Sequence, residues 1–181
     1  QNTVVRKMNS NGDIIWSGAI GKCKVVSIDH DSQGNIFILG SFWGGCLNVD
    51  FNPSSTITNN VSPNNAGSSG CNTPIFILKL ANSGEFQFVK IIDGQGSNNI
   101  FYGYPQRIKV DHDDNVLLSF RHASGGFIDI DPSSVFVNLP NGPYLILKWN
   151  NDCNQLLWYK SFGWGLSSPP IVEDQGIDVT P

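Results

Sequence analysis

The side chains best able to do chemistry in this chain lie in two short acidic runs. Asp29-His30-Asp31-Ser32-Gln33-Gly34-Asn35 and Asp111-His112-Asp113-Asp114-Asn115 both place carboxylates two residues apart. Carboxylates at that spacing can converge on one hard cation, and a Gly at the sixth position permits the sharp turn of a calcium loop. Asp29, Asp31 and Asn35 are the candidate ligands of a weak Ca2+ site, the one cofactor these residues suggest. Against it, Gln33 occupies the fifth position, Gly40 stands where a twelfth-position Glu would complete the shell, and the second run lacks the Gly. Asx residues and Gly also build tight turns without metal. A hairpin turn is therefore the expectation for both runs, with the Ca2+ site as the alternative.

Other reactive types are sparse. His30 and His112 read as equivalent positions, and His122 is the third histidine. Zinc needs three or four convergent ligands, so the three are expected to be solvent-exposed turn residues. No G-x-S-x-G elbow marks a serine hydrolase. Asp129 with Asp131, and Asp113 with Asp114, are paired as glycoside chemistry would require. Acids at such places more often keep an edge hairpin soluble, and no catalytic residue is assigned. Trp43, Tyr102, Tyr104 and Trp164 sit in the Gly-rich connections "SFWGG", "FYGYP" and "SFGWG". Aromatic rings on such loops are candidates for stacking on a sugar; anchoring of the loops is the alternative. Cys46 and Cys71 bracket a segment rich in Asn, Ser and Gly. A disulfide there would staple a long loop and imply an oxidising compartment, whereas free thiols would pack as small apolar residues. Cys23 and Cys153 are expected to be unpaired.

The elements that must carry these residues repeat. "VVRKMNSNGDIIW" (Val4–Trp16), "FILKLANSGEFQF" (Phe76–Phe88) and "LILKWNNDCNQLLW" (Leu145–Trp158) align on Lys7, Lys79 and Lys148, which are 72 and then 69 residues apart. Each is an apolar strand, a polar turn and a second strand bearing an aromatic, which is the pattern of a β-hairpin. In the third, Cys153 stands where Gly is expected and one extra residue precedes the Trp, so its turn should differ. "VVSIDHDSQGNIFILGSF" (Val25–Phe42) and "RIKVDHDDNVLLSF" (Arg107–Phe120) form a second set of hairpins between them. Aligned on Asp-His-Asp, the second turn is two residues shorter, and the closing "GIDVTP" places Val179 with Val110 and Ile28. The recurring Trp16, Phe88 and Trp158 are expected to pack between repeats, and Lys7, Lys79, Lys90, Lys148 and Lys160 to be exposed edge lysines that discourage strand pairing. "VDFNPSS" (49–55) and "IDIDPSS" (128–134) follow the second strand of each unit as a short extra strand ended by proline. "STITNNV" and "SVFVNL" are its expected return.

Four antiparallel strands per repeat of about 70 residues make the blade of a β-propeller. The expected fold class is thus all-β, with propeller-type repeats of four-stranded antiparallel blades. One propeller segment covers 1–181: the last two strands of a blade in 1–20, full blades in 24–92 and 106–162, and the first strand of another in 176–181. Two full blades and fragments do not close, so the partners expected are other blades of the same chain or other subunits. The chain opens on Gln1, as a mature form or an excised piece would.

These residues resemble the β-propeller repeats of secreted and surface proteins of Bacteroidetes-type bacteria. That family combines an "FI-x-KL-x-x-x-G-x-x-x-W-x-K" hairpin, a "VD-x-x-GN-x-Y-x-x-G-x-F" hairpin and "DFDPG". Phe76 to Leu80 with Gly84, Phe88 and Lys90 match the first, and Ile28-Asp29, Gly34-Asn35 and Gly40-Ser41-Phe42 the second. Asp50-Phe51-Asn52-Pro53 and Asp129-Ile130-Asp131-Pro132 match the third, with Ser54 and Ser133 replacing its Gly. The resemblance implies an extracellular or cell-surface location and a structural role in adhesion, surface-layer or fibre assembly. It says little about chemistry. Carbohydrate binding through the loop aromatics, and part of a secreted polysaccharide-cleaving enzyme, are the alternatives.

Composition agrees with an all-β, turn-rich chain. Charged residues are only 14%, Gly and Pro number 19 and 10, and there is one Met. Few strong helix formers argue against a helical fold. A net charge of −4 with no basic run excludes a nucleic-acid surface. No apolar stretch approaches the 18 or so residues of a spanning helix, so no membrane insertion is expected.

Overall fold

The computed structural model describes residues 2–42, 48–63, 73–94, 103–122, 126–130, 137–139 and 144–162. All regular structure in them is β. The first hairpin pairs β1 (Thr3–Met8) with β2 (Ile14–Ile20). A four-stranded antiparallel sheet then runs in chain order through β3 (Cys23–His30), β4 (Ile36–Phe42), β7 (Ile75–Leu80) and β8 (Phe86–Ile92). A second such sheet follows through β9 (Gly103–Val110), β10 (Val116–His122), β13 (Tyr144–Trp149) and β14 (Leu156–Phe162). Between the second and third strands of each sheet the chain makes a small excursion. β5 (Val49–Asp50) pairs with β6 (Asn60–Val61), and β11 (Gly126–Ile128) with β12 (Val137–Leu139). β5 and β6 fall in the "VDFNPSS" stretch and its expected return, whereas the strand expected at Ile128–Ile130 lies two residues earlier, at Gly126–Ile128, and residues 131–136 lie outside the described residues. Neither four-stranded sheet closes on itself. Segment 176–181 lies outside the described residues.

Alternation along the strands explains the stacking. Successive residues of a strand point to opposite faces, and in the β3–β8 sheet both faces are apolar. Phe37, Leu39, Ile75 and Ile77 pack with Val116, Leu118, Phe120, Leu145, Leu147 and Trp149 of the β9–β14 sheet in one core. Ile38, Phe42, Phe76, Leu78 and Leu80 point the other way and pack with Val5 and Ile20 of the first hairpin in a second core. The middle sheet is thus the filling of a stack, with β3 beside β9.

The excursions seal the gaps between sheets. Asp50 Oδ1 accepts from the Asn52 and Asn59 amides, which folds the segment back on itself. That delivers Phe51, fully buried, against Phe76 with ring centroids 4.8 Å apart. The Asp50 carbonyl accepts from the Gly21 amide at the end of the first hairpin. Ile130 holds the corresponding place in the other unit, where its carbonyl accepts from Trp149 Nε1 at 3.0 Å and the Asp129 amide donates back to Asp93 O.

The five hairpin turns share one plan: a turn followed by a residue in the left-handed region, which lets the ladder restart. That residue is Gly12, Gly34, Gly84, Asp114 or Cys153, with φ from +49° to +91°. Asp114 takes the place of Gly34. Asp31 and Asp111 start their turns, with Asn35 and Asn115 four residues on in both. The two turns are equal in length, which corrects the alignment on Asp-His-Asp. His30, the last residue of β3, matches Val110, and His112 matches Ser32. Ile28 corresponds to Ile108, since each faces its partner in the second strand at Ile38 and Leu118. The third aromatic hairpin does differ. Cys153 holds the left-handed position, and the Asn150 amide reaches Gln155 O, one residue further than elsewhere.

One close approach fixes the β4 position. A Cβ on Gly40 would run into the Lys24 carbonyl of the adjacent strand and the Phe76 ring, which is packed in the second core. Gly40→Ala is expected to lower stability by about 2 kcal/mol, read as a lower urea midpoint at unchanged slope; an unchanged midpoint would contradict this packing.

Candidate functional site

The candidate site is the line of turns at one end of the stack, where each sheet reaches its neighbour. Lys79 lies on β7, an inner strand, opposite Phe88 and Phe37. Its side chain is 8% exposed, with Nζ 5.0 Å from the Phe37 ring centroid. A buried ammonium needs partners. Nζ donates to the side-chain oxygen of Asn151 in the next sheet's β13–β14 turn, and lies 3.9 Å from both Asp31 Oδ2 and Asp152 Oδ1. Lys7 does the same one step earlier, donating to the Asn82 side-chain oxygen in the β7–β8 turn. Trp16 lies over Gly84, where a Cβ would sit 2.8 Å from its ring, and Trp16 Nε1 donates to Asn82 O at 3.0 Å. Phe88 corresponds to Trp16 and packs against the core that contains Cys153.

Lys79 and Lys148 are therefore not exposed edge lysines. Both are on inner strands, and Lys148 Nζ is 2.5 Å from Asp111 Oδ2, with side chains 21% and 2% exposed. Each positive charge sits beside the carboxylate that starts its own sheet's acidic turn, Asp31 for Lys79 and Asp111 for Lys148.

The two asparagines are bound on both sides. Asn82 Nδ2 donates to Gln33 O, and Asn151 Nδ2 to Asp114 O and Asp31 Oδ2. Asp114 accepts from the Ser32 amide at 2.7 Å and from the Ser32 hydroxyl, which ties the two acidic turns together across the sheets. Nearby, Ser27 Oγ and Asp29 Oδ2 accept from the Ile108 and Val110 amides. Those amides lie on the free edge of β9, so β3 caps an edge with side chains instead of a ladder. Lys109 Nζ stands 3.8 Å from the same Asp29 oxygen.

The sequence-predicted ligands thus separate into two jobs. Asp29 caps β9. Asp31 holds its own turn: Oδ1 accepts from the Gln33 and Asn35 amides and Oδ2 from Asn35 Nδ2. Among the described residues no three His, Cys, Asp or Glu side chains gather as a metal site. His30 and His112 are exposed, His112 beside Asp113 at 3.4 Å. His122 is fully buried on β10, against the expectation of an exposed turn residue. Tyr104 lies on β9 opposite Arg121 and not in a connecting loop as expected; it is 45% exposed, with the Arg121 guanidinium 4.8 Å from its ring centroid. Trp43, Tyr102, Trp164, Cys46 and Cys71 lie outside the described residues. Cys23 and Cys153 are unpaired and buried. Burial raises both thiols, Cys153 to about 12, so neither is a nucleophile at neutral pH.

Sequence reasoning missed the asparagines. Asn82 and Asn151 follow the first residue of equivalent turns, three residues after the repeated lysine, and that shared spacing was the available signal. No family model matches the chain, and no curated protein matches it.

Asp31 and Asp111 have carboxyls below the ordinary 3.8: burial pushes each up, and the donors outweigh it, from Asn35 and Asn151 on Asp31 and from Lys148 and Asn115 on Asp111. A lowered folded-state value means that stability is complete above the unfolded value of about 3.9. It is lost as pH falls through the folded value. Urea midpoints measured between about pH 5 and 2 are expected to fall more gently for Asp31→Asn and Asp111→Asn than for the wild type. Parallel curves would show that these carboxylates are not the acid-sensitive groups.

Proposed function

We propose that the chain is a non-enzymatic scaffold of propeller-type repeats that works outside the cell or on its surface, in adhesion, surface-layer or fibre assembly. One observation carries the repeat reading. The contact of Lys7 and Trp16 with the Asn82–Gly84 turn recurs as that of Lys79 with Asn151 and Asp152, with Phe88 opposite Lys79 and packed against the core that contains Cys153. A step made twice in succession is how blades follow one another in a propeller, each covering the face of the last. The polar groups at these turns spend their hydrogen bonds on one another, as befits a part that holds shape. The surface setting comes from the family the repeats resemble. Its partners are further repeats of the same chain or other subunits.

Carbohydrate binding is the second reading, favoured by Tyr104, the one of the four candidate aromatics that lies within the described residues. Tyr104 borders an open cleft of about 420 Å³ with Lys24, Val26, Thr73 and Pro105. Arg121 over its ring and an exposed phenol offer the stacking surface and hydrogen bonds that a sugar uses.

On intact cells of the native source, the protein is expected to be tagged by a membrane-impermeant amine reagent. Loss of the protein is expected to weaken adhesion or the surface layer and leave polysaccharide breakdown unchanged. Confinement to the cytosol, or cleavage of a polysaccharide by the purified protein, would overturn the scaffold reading. Retention on a glycan column that falls at least about tenfold in Tyr104→Ala, a loss of about 1.4 kcal/mol, would establish the second reading. Absence of retention removes it.

A further inference from the structure

We infer that the cleft between the first hairpin, the β5–β6 excursion and the β7–β8 turn binds an uncharged saccharide. The inference goes beyond the scaffold reading, and the site is separate from the Tyr104 cleft.

The cleft is a product of the stack and lies within it, not on an end face. It is open to solvent, with a volume of about 440 Å³. Trp16 and Gly18 of β2 form one wall, Asn52, Pro53 and Ile57 of the excursion a second, and the segment from Ser83 to Phe86 the third. Gly18 is what lets the excursion come in: a Cβ there would lie 2.4 Å from Pro53 Cβ. The same ladder position in the next sheet is Lys90, since Gly18 faces Val5 and Lys90 faces Ile77.

The decisive group is the Asn52 side chain. Asn52 borders the cleft and is 7% exposed. Its Oδ1 accepts from the Ser54 amide at 2.9 Å, which fixes which end of the side chain is the nitrogen. Nδ2 is left with two protons and, among the described residues, no acceptor. A largely buried donor without a partner costs stability, and the fold does not require this one. The turn uses only the oxygen, and the second copy of the motif has Asp131 at the same place. Complementary groups surround the donor. Glu85 is exposed, and among the described residues its carboxylate forms no ion pair. The Trp16 indole is held rigidly, with Gly84 beneath it and Nε1 bound to Asn82 O. Ile57, 60% exposed, extends the apolar surface.

These groups select among ligands. A hydroxyl both donates and accepts, so neighbouring hydroxyls of one sugar can serve Asn52 Nδ2 and Glu85 together while its apolar C–H face packs on the aromatic wall. A cationic side chain offers donors only and leaves Nδ2 unsatisfied. An acidic sugar would meet the Glu85 charge, and among the described residues no Lys or Arg borders the cleft to offset it.

Titration of the whole chain with cellohexaose, xylohexaose and mannohexaose, followed by nitrogen–proton NMR, tests this, with hexagalacturonate as the charged comparison. At least one of the neutral chains is expected to shift the Asn52 side-chain amide and Trp16 indole signals, and hexagalacturonate to shift neither. Asn52→Asp keeps the oxygen that the Ser54 amide needs and replaces the donor by an acceptor, and Glu85→Ala removes an exposed carboxylate. Each is expected to weaken binding at least about fivefold, and Tyr104→Ala to leave it unchanged. No shift of these signals with any of the neutral chains, equal binding of hexagalacturonate, or full affinity in either variant would overturn the inference. Binding that moves other signals and is lost in Tyr104→Ala puts the sugar in the other cleft and overturns this one alone.

Discussion

A four-stranded sheet with apolar residues on both faces needs a neighbour on each side. Phe37, Leu39, Ile75 and Ile77 leave one face of the middle sheet as Ile38, Phe76, Leu78 and Leu80 leave the other. At about 25 cal/mol per Å² of apolar surface removed from water, neither face can stay wet without a large cost. The stack is the answer to that requirement. The first hairpin, the middle sheet and the last sheet follow one another because each supplies the cover that the previous one lacks.

Burial alone would leave the sheets free to slide, since dispersion and water exclusion are only weakly directional. Direction comes from the polar groups at the turns. Lys79 is held among Asn151, Asp31 and Asp152, and a charge that is 8% exposed tolerates no loose arrangement. Asp114 adopts a φ of +62°, which costs a non-glycine residue some strain. In return its carboxylate binds Ser32 of the adjoining sheet, which Gly at that position could not do. Where Gly34 serves the same turn in the other sheet, the space its Cβ would need is taken by the Asn82 side chain. The same backbone site is thus filled for different reasons in two consecutive units.

The repeated hairpins, the inserted "VDFNPSS" excursion and the recurrence of one lysine and one aromatic in each hairpin were all legible in the residues, because strand alternation and turn chemistry are local. Misreadings came from features that only neighbours define. Asp-His-Asp is conspicuous as text, yet His30 ends a strand while His112 lies inside a turn. What aligns the units is the carboxylate that accepts the turn amides, Asp31 or Asp111, four residues before Asn35 or Asn115. Lysine on a strand reads as an edge device, and only strand order shows that Lys79 and Lys148 are interior.

From its sequence alone the chain is an all-β protein of recurring antiparallel hairpins, with turns marked by Asn, Asp and Gly and an acidic excursion in each unit. Those properties depend on residues a few positions apart. The order in which sheets face one another, the burial of the lysines and the roles of Asn82, Asn151 and Asp29 were decided by tertiary structure. Each involves groups 37 to 120 residues apart that meet only when the strands pair and the apolar faces stack. No local pattern encodes a partner that far along the chain, whereas the close packing of two faces leaves each polar tip a small set of neighbours.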